Sequence, residues 1–250
     1  MDGVLYRGEK VLPGAIEFME SIQDIPHVFL TNNPTRLPSD VVNKLCRLGF
    51  PNAREEQVIT SGIATAIWLS KQKLGFRFYA IGAVALTTAL GRYGIEDSKN
   101  ADYVVVGEGE GLDFNSLTLG VNLILQKGAK LISTNPDCTV NAEGRVLPGG
   151  GALVAPFIVA TGIKAITIGK PNPLLFEMGL EVLGLAPGEC LMVGDRPDTD
   201  IGGANNLGIQ TALVRTGCFG SAEEIVDHAL IPDIDVGELF ELMSILERRV

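Results

Sequence analysis

Leu191-Met192-Val193-Gly194-Asp195-Arg196-Pro197-Asp198-Thr199-Asp200-Ile201 joins an apolar run to a spaced pair of acids, Asp195 and Asp200. Residues 190–193 are hydrophobic without polar alternation, the pattern of a strand buried on both faces, and residues 200–207 read as a helix. An apolar strand that ends in Gly-Asp and turns into a helix is one step of a βα repeat. It also delivers carboxylates to the strand's C-terminal end, where α/β folds bind ligands.

Similar steps fill the rest of the chain. Strands are expected at residues 27–30, 58–60, 78–81, 103–106, 130–133, 165–168 and 211–214. Helices are expected near 14–23, 39–48, 61–73, 83–93, 114–127 and 173–183. Gly49 is placed to end one helix, and Ser61 to cap the next. The alternation predicts an α/β protein with parallel sheets covered by helices. Residues 76–162 have βα repeats of their own, and the motifs that look catalytic lie outside them. The expected division is a core, 1–75 and 163–250, interrupted by an inserted domain, 76–162.

The 250 residues are 46% hydrophobic and 20% charged, which suits a well-folded protein with an ample core. A net charge of -10 argues against nucleic acid or an anionic membrane as a partner. An anionic substrate would then need a local positive device: a metal, a Lys or a helix N-terminus. Cys46, Cys138, Cys190 and Cys218 are scattered with no CxxC pair, the pattern of reduced thiols in a cytoplasmic protein rather than of a zinc site. His27 and His228 read as structural or surface residues. No run has the length and apolarity of a membrane span, and no signal peptide opens the chain.

Four stretches could carry chemistry. Asp2-Gly3 opens the chain; an acid there could protonate a leaving oxygen, although Asp-Gly is also a common turn dipeptide. Phe29-Leu30-Thr31-Asn32-Asn33 ends a strand with a hydroxyl and amides suited to phosphate oxygens, or forms an Asn-rich turn. In Ile168-Gly169-Lys170-Pro171-Asn172-Pro173 a Lys between a buried strand and a Pro-started helix could neutralise a carboxylate and a phosphate, or be surface. Asp195 and Asp200 are hard oxygen donors suited to Mg²⁺, with N-capping the alternative for Asp200. Gly107-Glu108-Gly109-Glu110-Gly111 fails the dinucleotide spacing, and Pro148-Gly149-Gly150-Gly151 lacks the Lys-Ser/Thr of a phosphate loop; both read as solvated loops.

Taken together and in this order, the four pieces resemble the motifs of the haloacid dehalogenase (HAD) phosphatase superfamily. Leu5-Tyr6-Arg7-Gly8, Thr31-Asn32-Asn33-Pro34, Thr134-Asn135-Pro136-Asp137, Pro148-Gly149-Gly150-Gly151 and Gly169-Lys170-Pro171 narrow the resemblance to the NagD-like or p-nitrophenyl phosphatase-like branch. The resemblance implies a HAD-like Rossmannoid core with an inserted α/β C2-type cap. It implies Mg²⁺-dependent hydrolysis of a small phosphorylated metabolite through an aspartyl-phosphate. Asp2 would be general acid and base, with its carbonyl on the metal. Thr31 and Lys170 would hold the phosphoryl group. Asp195 would bind the metal, with Asp200 beside it. Asn32, Asn33, Arg196 and Thr199 would line the phosphate, and Asn135 and Asp137 would face the leaving group.

One departure stands out. The family's first strand and nucleophilic Asp would fall just before Met1, as in an N-terminal truncation or an internal start site. The rival expectation is a noncatalytic phospho-ligand binding module of the same fold. The apolar composition and the cap are compatible with a homodimer.

Overall fold

The computed structural model describes residues 1–142, 144–217, 225 and 227–248. Cys218, expected to be a free thiol, lies outside them. Cys46, Cys138 and Cys190 are free.

In chain order, β1 (Tyr6–Arg7) and β2 (Lys10–Val11) form an antiparallel hairpin, followed by α1 (Ala15–Ser21), β3 (Phe29–Thr31), α2 (Pro38–Arg47) and β4 (Val58–Thr60). Next come α3 (Ser61–Gln72), β5 (Arg77–Ile81), α4 (Val84–Gly91), β6 (Ile95–Glu96), β7 (Tyr103–Val106), α5 (Phe114–Lys127) and β8 (Lys130–Ser133). The hairpin β9 (Thr139–Ala142) and β10 (Arg145–Pro148), then α6 (Gly150–Thr161) and β11 (Ile166–Thr167), complete the middle of the chain. The last part is α7 (Pro173–Leu183), β12 (Leu191–Gly194), a π-helical turn Pro197–Ile201, α8 (Gly202–Asn205), β13 (Gln210–Val214), β14 (Ile234–Val236) and α9 (Leu239–Glu247).

The chain divides into two units. Met1–Leu30, Val42–Val58 and Lys170–Val250 form the first; Thr31–Val41 and Ile59–Gly169 form the second. The expected 76–162 insertion lies wholly within the second unit, where α3 packs on α4.

The second unit is built on a parallel sheet in the order β11-β8-β7-β5-β6. All four residues of β7 are buried, which is why its Tyr-Val-Val-Val run lacks polar alternation. Val104 and Val106 pack with Leu123, Leu131, Val154 and Phe157 in a core closed by α5 and α6. Asp113 and Ser116 start α5 with reciprocal cap bonds, and Gly128 ends it at φ +73. Gly120 makes room for Phe157, since a Cβ there would lie 2.5 Å from the ring. Strand order reverses between β5 and β7, and the loops after those strands open at a topological switch point.

The first unit carries a parallel sheet β12-β13-β14. Phe176 of α7 packs with Ala204 and Ile209, flanked by Leu30, Leu180 and Met192. Among the described residues, β12 ends that sheet, and β3 pairs with β4 in a separate one.

Most elements lie within a residue or two of expectation, and four differences have local causes. The strand expected at 27–30 is Phe29–Thr31, so Thr31 is part of the extended chain. Thr60, not Ser61, caps α3, accepting the Ile63 N–H at 3.2 Å. The helix expected from 200 is preceded by the π-helical turn, because the Asp200 carboxylate folds back onto earlier backbone N–H groups. The two glycine-rich stretches are not wholly solvated: Gly107, Glu108, Gly149 and Gly150 are buried. Among the described residues no helix is long and apolar enough to cross a membrane.

Phe157→Ala is expected to lower the unfolding free energy by about 3–5 kcal/mol, the cost of emptying a ring-sized space in a close-packed core. Denaturant titration reads this directly. An unchanged midpoint would mean that α6 does not close this core.

Candidate functional site

β12 ends in Gly194, and the next residue is Asp195. A Cβ at position 194 would lie 2.6 Å from Asp200 Cγ, so the glycine admits the second acid. Asp195, Asp200 and Lys170 are 6%, 4% and 7% exposed. Lys170 Nζ donates to Asp200 Oδ1 at 2.6 Å. Asp200 Oδ2 accepts the backbone N–H groups of Asp195 and Arg196, each at 3.2 Å. Both carboxylate oxygens therefore have protein donors, so Asp200 orients Lys170 and the start of the turn. Burial works against the charged form of Asp200. The Lys170 ammonium and its hydrogen bond outweigh burial and hold the carboxyl below the usual range.

The opening loop is tied to the same place. Gly3 N–H donates to the Tyr6 carbonyl at 2.8 Å, and the Thr216 hydroxyl donates to the Gly3 carbonyl at 2.7 Å. The Arg7 guanidinium donates to the carbonyls of Thr216 and Gly217. Gly3, at φ +77, and Gly217 both lie against Asp195; a Cβ on either would overlap its carboxylate. Asp2 is exposed and immediately precedes that glycine. Arg196 makes a two-pronged contact with Asp198, at 3.2 and 2.8 Å, within the turn that buries Thr199. Asp2, Lys170, Asp195, Arg196, Thr199 and Asp200 all belong to the first unit.

The other expected residues gather in the second unit. Thr31 Oγ1 accepts the Asn33 N–H at 3.2 Å, and Asn33 Oδ1 accepts the Thr35 N–H at 2.7 Å. Asn32 Nδ2 donates to Asp137 Oδ2 at 3.1 Å. Asn135 is fully buried. Its Nδ2 donates to the Asn32 carbonyl at 2.8 Å and to Glu108 Oε1 at 2.9 Å. Gly169 allows close approach, since a Cβ there would lie 2.7 Å from Asn32 Oδ1 and from the Thr134 carbonyl. Gly150 likewise lies against Asn135. Burial pushes the Glu108 carboxyl up to about 7, with the Asn135 bond opposing and the Asp137 charge adding to the rise.

Sequence reading gave no site role to Arg7, Thr216 and Gly217, of which Gly217 lies against the Asp195 carboxylate and Arg7 and Thr216 tie the loop beside it, and it dismissed Glu108. The signals were present: a Gly three residues beyond the strand Gln210–Val214, and an acid two residues after a fully buried strand. Among the described residues, no three His, Cys, Asp or Glu side chains gather as a metal-holding group. The Asp195 carboxylate is a hard-oxygen donor that the Lys170–Asp200 hydrogen bond does not use. A single carboxylate of this kind is compatible with Mg²⁺, which keeps several waters and needs one or two carboxylates.

Residues 1–96 match a model described as haloacid dehalogenase-like hydrolase, and residues 167–237 match a HAD-hydrolase-like model. An "Acid sugar phosphatase" of Staphylococcus aureus is 37% identical over 99% of this chain and 96% of that one. A p-nitrophenyl phosphatase from Archaeoglobus fulgidus superposes with a TM-score of 0.91 at 27% identity, covering 98% of this chain and 96% of the other. NagD from E. coli K-12 superposes with a TM-score of 0.86 at 29% identity, covering 96% and 95%.

Lys170→Ala leaves Asp200 buried without its cation, and the expected loss of stability is about 3–5 kcal/mol. Lys170→Met combined with Asp200→Asn should cost less than Lys170→Ala alone, as measured by denaturant unfolding. Glu108 gives a pH signature. Its folded value of about 7 lies above the ordinary 4.5. In acid both states are neutral and nothing is lost. As pH rises, the unfolded chain ionises first, and the fold loses up to roughly 3 kcal/mol by neutrality. Glu108→Gln is expected to raise the thermal midpoint near pH 8 and to leave it unchanged near pH 4. Equal shifts at both would show that the carboxyl ionises normally.

Proposed function

Because the chain belongs to the haloacid dehalogenase-like hydrolase family, in its NagD- and p-nitrophenyl phosphatase-like branch, we propose that it serves Mg²⁺-dependent hydrolysis of a small phosphate monoester through an aspartyl-phosphate. The observation that carries this reading is the buried Lys170–Asp200 pair hydrogen-bonded to the backbone of Asp195. An ammonium fixed by a carboxylate it cannot leave is a pre-oriented donor for a transferring phosphoryl oxygen, and fixed charge of this kind lowers the barrier without reorganisation.

Thr31 donates its hydroxyl to a second phosphoryl oxygen, and the backbone N–H groups of the 31–33 turn supply more. Asp2 protonates the leaving oxygen and then takes a proton from the attacking water. Asp195 and the Asp2 carbonyl would hold Mg²⁺, which when bound would neutralise charge on the phosphate. The nucleophilic carboxylate is assigned to the position two residues before Asp2, outside the 250 residues. Among the described residues β12 is the last strand of its sheet, β3 pairs with β4 alone, and Leu30 and Met192 flank one core cluster, which is compatible with a further strand beside them. Residues 76–162 act as the cap that selects the ester. The free Cys46, Cys138 and Cys190 fit a cytoplasmic setting. A sugar phosphate is the first ester to try, given the activity for which the S. aureus relative is named.

The test compares this chain with a form extended upstream by an apolar strand ending in Asp, using p-nitrophenyl phosphate and sugar phosphates with Mg²⁺. Turnover is expected in the extended form alone, and Lys170→Ala in that form should lower kcat/KM by about 10²–10³. Phosphate-ester binding without turnover in both forms would favour a noncatalytic binding module. Full turnover by the unextended chain would disprove the assignment of the nucleophile.

A further inference from the structure

We infer that Glu108 is a positioning residue for the turn 31–33, acting through the side-chain amide of Asn135; this rests on the proposed phosphate-binding role of that turn. Glu108 follows β7 at the C-terminal edge of the second unit's sheet, beside the point where strand order reverses. It is 5% exposed, although Glu110, two residues on, is in solvent.

The geometry is a relay of hydrogen bonds within one unit. Asn135 Nδ2 carries two hydrogens. One goes to Glu108 Oε1 at 2.9 Å and the other to the Asn32 carbonyl at 2.8 Å. Asn135 Oδ1 accepts the Asp137 N–H at 3.1 Å, which fixes which end of the amide is nitrogen. The Asn32 carbonyl accepts a second bond, from the Ser61 hydroxyl at 2.5 Å, and the Asn32 amide donates to Asp137. The Asn32 peptide is therefore gripped from several sides, and the Asn135 grip is aimed by Glu108.

The packing around Asn135 is tight. The backbone of Gly150 and that of Gly169 both lie against Asn135, so close that a Cβ on either would meet its side-chain atoms. A fully buried amide that loses one acceptor keeps an unsatisfied N–H, and the free energy is recovered by rotating toward another partner. Such rotation releases the Asn32 carbonyl, and the N–H groups of the turn lose their alignment. Glu108 never touches the phosphate; its effect is on the order of the donors that do.

Inorganic phosphate is titrated calorimetrically, with Mg²⁺ present, into the full 250-residue chain and into its Glu108→Gln, Glu108→Asp, Glu108→Ala and Glu110→Ala forms, each at a temperature where it is folded. Gln keeps an acceptor oxygen in place, Asp withdraws it by one methylene, and Ala removes it. Glu108→Asp and Glu108→Ala are expected to weaken phosphate by about three- to tenfold, the value of one buried hydrogen bond, with Glu108→Gln and Glu110→Ala matching the parent. A purely structural Glu108 would lower the thermal midpoint and leave the phosphate Kd unchanged, and that result in Asp and Ala forms overturns the inference. If Glu108→Ala does not fold, the contrast between Asp and Gln decides. Failure of the unsubstituted chain to bind phosphate would overturn the phosphate reading itself, and this inference with it.

Discussion

Lys170 and Asp200 are opposite charges taken out of water and held 2.6 Å apart. Removing either partner would strand the other where hydration cannot reach it, which is why the surroundings are so constrained. Gly194 is small so that Asp200 can enter, and the π-helical turn exists because the carboxylate reaches back to two N–H groups of its own loop. Asp195 is then confined by Gly3 and Gly217, and Arg7 and Thr216 tie those glycines' segments together. The ion pair thereby dictates side-chain size at Gly194, and the neighbouring Asp195 dictates it at Gly3 and Gly217, positions distant in sequence.

The second unit solves a related problem with neutral donors. Asn135 has no exposure to water, so each of its polar atoms must find a protein partner. Glu108, Asn32 and Asp137 supply them. Burial makes ionisation of Glu108 costly, and its carboxyl accordingly titrates near neutrality. The two buried polar clusters differ in kind. The first unit's depends on full charges in contact, and the second's on a chain of amides.

The architecture was largely readable in advance. Tyr103–Val106, Lys130–Ser133 and Pro173–Leu183 lie where apolar runs, glycine and proline put them, because a strand with both faces covered cannot hide its composition. The β9–β10 hairpin escaped detection: residues Arg145–Pro148 are all exposed, so no hydrophobic period marks them. The Gly-rich stretch after it looked like solvent-facing loop. It is buried because Gly149 and Gly150 lie against the backbone and side chains of Asp137 and Asn135, a closeness that spacing along the chain does not encode. Asn135 shows the same limit, since its motif marked it as important while its burial changes what it touches.

Local chemistry alone determined the βα order, the family and the identity of the acids, the lysine and the amides. Those follow from periodicity, from punctuation by glycine and proline, and from the scarcity of charges beside apolar strands. The tertiary structure decided which of these groups face one another: Lys170 with Asp200, Asp195 with Gly3 and Gly217, Asn135 with Glu108 and Asn32. Partners separated by tens or hundreds of residues meet only when sheets and helices close. Burial then makes an unpaired charge or amide too costly to keep, and that cost, absent from any local stretch of sequence, selects the pairing.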